Sequence, residues 1–154
     1  MRALIQGLVA AAGCVMSAAA QHAMPSAPTR VETLGLTVTI ETPSAATGGA
    51  SAVVRFGVPA GGGPPPHRHT REDEVFVILA GSYRFRMDGV CIEAGPGDTV
   101  YLPRGHVHQY QNVGSTPGEH ILTLLPGGLE QSFVDMAAMG LQMPRDFAQL
   151  NQMS

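Results

Sequence analysis

Between Val31 and Leu125 the apolar residues of this chain come in short runs, each closed by a turn rich in glycine or proline. Leu36, Val38 and Ile40 alternate with Thr37 and Thr39 and stop near Pro43, and Gly48-Gly49 then leads into residues 52–58. Residues 74–79 form an apolar run ended by Ala80-Gly81. Residues 83–87 alternate Tyr, Phe and Met with Arg84 and Arg86 before Asp88-Gly89, a hairpin signal. Runs at 90–93 and 98–102 flank Gly95-Pro96-Gly97, and runs at 106–112 and 119–125 complete the series. Short strands at such regular spacing predict an all-β sandwich or barrel. After Pro126-Gly127-Gly128 the period changes. Leu129, Phe133, Met136, Ala137 and Leu141 fall on one helix face, and a second short helix is expected from Pro144. Met136, Met139 and Met143 are read as flexible filler between these helices and the barrel.

A length of 154 residues gives room for one domain with a sizeable core, and 19 Gly and 12 Pro suit many strands joined by turns. The nine basic residues are all arginine, and against twelve acids they leave a net charge of −3, which offers no footprint for a phosphate backbone. Trp is absent and aromatics are 5%, so stacked bases are a poor partner as well. Nucleic acid is therefore set aside and a small-molecule substrate or ligand is expected.

Residues 1–20 read as a signal peptide: a charged start at Arg2, a run of apolar and small residues, and the small-x-small site Ala18-Ala19-Ala20. Cleavage after Ala20 makes the protein periplasmic or secreted, with no membrane contact beyond that segment; the alternative is a retained, weakly hydrophobic anchor. Lipoprotein attachment through Cys14 is disfavoured because Ala11, not Leu, stands three residues before it. With Cys14 removed, Cys91 is the one remaining thiol and no internal disulfide can form. The expected organisation is a flexible leader at 21–30, a β-barrel at 31–126 and a helical segment at 127–154.

Gly61-Gly62-Gly63-Pro64-Pro65-Pro66 is the sharpest punctuation in the chain, and the triproline favours extended backbone leading into His67. His67 and His69 are two apart, so on a strand both rings share a face, as one metal ion requires. Glu72, Asp73 and Glu74 follow. Glu74 leads directly into the apolar run, so its carboxylate can enter the interior, where a cation offsets the cost of burial; Glu72 and Asp73 are expected to stay in the turn. Past the corner Pro103-Arg104-Gly105, His106 and His108 are both candidates for a further imidazole. Three imidazoles and one carboxylate suit one divalent transition metal, Fe, Mn, Ni, Cu or Zn, and the residues do not choose among these.

The spacing resembles the two motifs of the cupins. The first is carried by Gly61, His67-x-His69, Glu74 and Gly81, and the second by Gly97, Pro103-x-Gly105, His108 and Asn112. That resemblance implies a jelly-roll β-barrel of the small single-domain type with one or two C-terminal helices. It also implies His67, His69, Glu74 and His108 as metal ligands and leaves His106 off the metal, its ring either in solvent on the corner after Gly105 or hydrogen-bonding near the site. The runs from His67 to Phe76 and from Pro103 to His108, with Pro126-Gly-Gly-Leu-Glu before a helix, resemble quercetin-dioxygenase-like cupins. The expected activity is thus a metal-dependent dioxygenation of a small enolic or phenolic compound, with Glu74 as ligand and proton acceptor and Phe76, Ile78, Phe85 and Tyr110 lining a pocket. The alternative is a non-catalytic metal or small-ligand binding cupin of the cell envelope. A homodimer is expected from the same resemblance, and His22 and His120 are read as bystanders.

Overall fold

The computed structural model describes residues 27–141. The expectations for residues 1–20, for Cys14 and His22, for Met143 and for a helix from Pro144 lie outside the described residues. Among the described residues nine strands are formed: β1 (Thr29–Thr33), β2 (Leu36–Thr42), β3 (Ala52–Val58), β4 (Asp73–Ala80), β5 (Tyr83–Met87), β6 (Val90–Ala94), β7 (Thr99–Leu102), β8 (His108–Asn112) and β9 (Gly118–Leu125). A 3-10 turn occupies Ser44–Thr47 and one helix, α1, spans Glu130–Ala138. The strands make a six-stranded sheet ordered β1-β2-β3-β9-β4-β7 and a three-stranded sheet ordered β6-β5-β8. No helix among the described residues is long and apolar enough to cross a membrane.

The alternation read from the sequence is the alternation of burial. On β4, Glu74, Phe76 and Ile78 face in while Val75 and Val77 are half-buried, and on β9 His120, Leu122 and Leu124 face in. These side chains meet Tyr83, Phe85 and Tyr110 from the small sheet. Each large apolar group removed from water contributes about 1.5–3 kcal/mol. The four residues expected to line a pocket, Phe76, Ile78, Phe85 and Tyr110, are 0–6% exposed and belong to this core, with Phe76 edge-on to Phe85 and Tyr110 at 5.0 and 5.6 Å.

Two boundaries differ from expectation. The leader read at 21–30 ends inside β1, because Thr29 and Arg30 pair with Ile40 and Thr39. The last strand before β9 begins at His108, not His106, since residues 104–106 are still completing the corner.

The glycine-proline run is not a linker. Gly61 N–H donates to the Asn112 carbonyl and Asn112 N–H to the Gly62 carbonyl, both at 2.9 Å. Six residues on, His67 and His108 exchange the two bonds of an isolated antiparallel bridge, at 2.9 and 2.8 Å. The segment therefore runs along the free edge of β8, pinned at its two ends. Pro64, Pro65 and Pro66 have no N–H to donate, which is why the pairing breaks between the pins and no strand forms. Gly63 makes the approach close enough: a Cβ there would lie 2.1 Å from the Tyr110 carbonyl oxygen.

The helix is tied to the barrel by Glu130, which is 4% exposed. Its carboxylate accepts from Ser44 N–H at 2.8 Å and Gly128 N–H at 2.6 Å, and these bonds hold it ionised against the opposing effect of burial. Phe133 meets Phe56 edge-on at 5.2 Å, and Met136 and Leu141 are buried. Glu130→Ala should cost about 1.5–3 kcal/mol through the two orphaned amides. Denaturant unfolding measures that loss, and amide exchange should show it concentrated in α1 and residues 44–47.

Candidate metal centre

Four side chains from three places in the chain converge at one end of the barrel. His67 and His69 come from the segment after the triproline, Glu74 is the second residue of β4 and His108 is the first of β8. One ligand atom from each lies within 4.8 Å of all the others. Glu74 is 4% exposed, His108 2% and His69 7%, and His67 is partly buried. Their rings stand close, with centroids 4.5 Å apart for His67 and His108, 4.8 Å for His67 and His69, and 5.4 Å for His69 and His108.

Two of the imidazoles are aimed by backbone carbonyls. His67 Nδ1 donates to the Pro65 carbonyl at 2.9 Å, and His108 Nδ1 donates to the His106 carbonyl at 3.0 Å. A carbonyl can only accept, so Nδ1 carries the proton in each ring and Nε2 presents its lone pair to the cluster. Glu74 reaches the other two rings, with Oε2 at 3.0 Å from His108 Nε2 and Oε1 at 3.5 Å from His69 Nε2.

Burial pushes His67 down to about 4, and His69 beside it adds to the effect. Burial also lowers His69, against the pull of Glu74. Burial opposes protonation of His108 too, but the Glu74 carboxylate 3.0 Å away outweighs it and raises that ring. Glu74 Oε2 and His108 Nε2 are both inaccessible and make no well-formed hydrogen bond. A buried carboxylate facing imidazole lone pairs is costly alone and is satisfied by a cation. The donor set, neutral nitrogen with one oxygen, fits a single divalent transition metal at roughly 2.0–2.2 Å from each atom.

His106 stands apart from the cluster. Its ring is about half exposed and Nδ1 pairs with the Asp88 carboxylate, while its carbonyl orients His108. The neighbouring acids differ from the expected solvated turn. Glu72 is 7% exposed, and Asp73 opens β4 and receives three bonds from Arg104, from its N–H at 2.8 Å and from Nε and Nη2 at 2.9 and 2.8 Å. That guanidinium holds the Asp73 carboxyl well below the usual range. The pair fastens the corner before His108 to the residue before Glu74, so it sets the distance between the two motifs. Asp73 and Arg104 are thirty-one positions apart, and no local signal announces their contact. A groove of about 440 Å³ adjoins the cluster at His108, lined also by Pro66, Arg86, Met87 and Cys91. Cys91 is a free, exposed thiol.

A cupin domain family model matches residues 54–124. An uncharacterized protein of Methanocaldococcus jannaschii, MJ1618, is 33% identical over 60 residues, which is 39% of this chain and 48% of that protein. An oxalate-binding protein of Thermotoga maritima is 28% identical over 76 residues, 49% of this chain and 63% of that one. The matches thus span about half to under two thirds of these relatives. Among solved structures, a predicted oxalate decarboxylase from Thermotoga maritima superposes with a TM-score of 0.58 at 23% identity, covering 64% of this chain and 91% of that chain. The fold is a mostly β cupin fold with one short C-terminal helix among the described residues. Two of these three similar proteins bear names that refer to oxalate, and none of the three names refers to quercetin.

Proposed function

We propose that this cupin holds one divalent transition metal on His67, His69, Glu74 and His108 and is a dioxygenase acting on a small enolic or phenolic compound. The observation that carries the reading is the convergence of three imidazoles and one carboxylate within 4.8 Å at the end of an apolar barrel. A bound metal supplies Lewis acidity and, for the redox-active ions, a centre at which an ionised substrate oxygen and O2 can react. The chain's own residues prepare that chemistry. The Pro65 and His106 carbonyls keep His67 and His108 in the tautomer that offers Nε2. Glu74 supplies the negative charge and is the basic oxygen nearest the cluster, able to take the proton that an enol or phenol loses. Phe76 and Tyr110, next inward on β4 and β8, keep bulk water from the inner side. The apolar, small-residue start of the chain supports an exported protein.

The test is to load the full chain anaerobically with Fe, Mn, Ni, Cu or Zn in turn and follow O2 uptake over a panel of enolic and phenolic compounds. Uptake matched to substrate loss is expected with at least one redox-active metal; silence with every metal would sink the reading. A second reading, binding without turnover, is favoured by the likeness to an oxalate-binding protein. It predicts saturable, metal-dependent binding of a small dicarboxylate that survives removal of O2 and yields no product.

A further inference from the structure

His120 has no part in that chemistry, yet it is fully buried among aromatic rings. The residue lies on β9, opposite Phe56 of β3 and Ile78 of β4, and is 0% exposed. Its ring stacks on Phe56 at 5.2 Å with the planes 21° apart. Tyr110 at 5.0 Å, Phe76 at 5.3 Å and Tyr83 at 5.3 Å close the cage. Neither Nδ1 nor Nε2 has a hydrogen-bond partner.

The groups facing it can be named element by element. β3 presents Phe56, and Phe133 of α1 meets that ring edge-on. β4 presents Phe76 and Ile78, with Glu74 a further step along the same face and engaged by His69 and His108. β5 presents Tyr83 and β8 presents Tyr110, two phenols that burial pushes up and so keeps uncharged. Glu119, next to His120 in sequence, turns outward to Arg55. An imidazolium in this cage has two N–H donors, neither ring nitrogen hydrogen-bonded and no carboxylate beside it, which apolar surroundings do not tolerate.

We propose that His120 is an acid-sensitive lock on the barrel: the ring holds β3, β4 and β9 together only while neutral, and taking up a proton expels it and parts β9 from β4. Burial alone holds the ring down to about 3, against about 6.5 for a free imidazole. The unfolded chain therefore takes the proton as pH falls below about 6.5 while the folded chain resists until about 3. Stability is full above that window and declines through it. The same ladder that pairs His120 with Ile78 pairs Leu124 with Glu74, so parting it also frees the carboxylate of the metal cluster.

The experiment compares the full chain with His120→Phe, which keeps the stack and removes the basic nitrogen. Urea unfolding is measured at steps from pH 7.5 to 4.5, with the same metal content in both proteins. The ratio of unfolding constants, wild type over variant, should grow about tenfold per pH unit below 6.5, roughly 100-fold by pH 4.5. The cluster imidazoles are common to both proteins and cancel in the ratio. A ratio independent of pH overturns the proposal. Should the variant fail to fold, ring nitrogen NMR of the wild type decides instead: His120 stays neutral in the folded protein down to pH 4.5, and titration near 6.5 without unfolding overturns the lock.

Discussion

Replacing His108 with Ala should strip the protein of firmly held metal, with affinity falling on the order of 100-fold or more, whereas His106→Ala should leave the metal bound. Simple alternation would set the two residues on one strand face, but β8 begins at His108 and the structure separates them by what each atom does. His108 turns Nε2 into the cluster, 3.0 Å from Glu74 Oε2. His106 turns its ring to Asp88 and contributes only its carbonyl, which alanine retains. Elemental analysis of each purified variant, followed by competition with a chelator, measures the difference. Metal kept in His108→Ala and lost in His106→Ala would overthrow the assignment.

The largest loss of stability is expected at Asn112. The side chain is 0% exposed and its amide spends every polar atom on backbone. Nδ2 donates to the carbonyls of Val58, Pro59 and Thr116 at 3.1, 3.3 and 2.8 Å, and Oδ1 accepts from Gly114 N–H at 3.0 Å. Those contacts tie together the end of β3, Pro59 just after it and the turn into β9. Asn112→Ala removes the bonds and strands buried groups of all three, for a loss of about 3–5 kcal/mol. In a domain of this size that lowers Tm by roughly 10 °C. Asn112→Asp keeps the shape but sets an acceptor against three carbonyls, and it should be no better than alanine. A melting temperature unchanged in both variants would show that the amide is dispensable.

Much of this was legible because period two is a strong signal. Glu74, Phe76 and Ile78 follow from the run that Glu74 opens, and the motif spacing drew His108 in with His67 and His69. The choice between His106 and His108 was not legible from alternation, because it depends on where the corner ends and the strand begins. The sequence places His120 as well, although not as the bystander it resembles: counting back by twos from Leu124 and Leu122 puts it in the core, where a histidine without partners is an anomaly. The Asp73–Arg104 and Glu130–Ser44 contacts join residues far apart in sequence, and exposed-looking acids gave no hint of them. The glycine-proline run misleads in a different way. Its composition fits a linker, and only the bonds at its two ends show that it borders a sheet.

The bridge between His67 and His108 has a consequence for how the ion comes and goes. Two ligands forty-one positions apart are already clasped by a pair of amide–carbonyl bonds before any metal arrives. The entropy of closing that long loop is therefore borne by the peptide backbone, not by coordination. An ion entering the cluster has only its water to exchange, and a chelator can draw it out again while the barrel stays folded. Such a protein behaves as a rigid socket whose occupancy follows the metal supply around it.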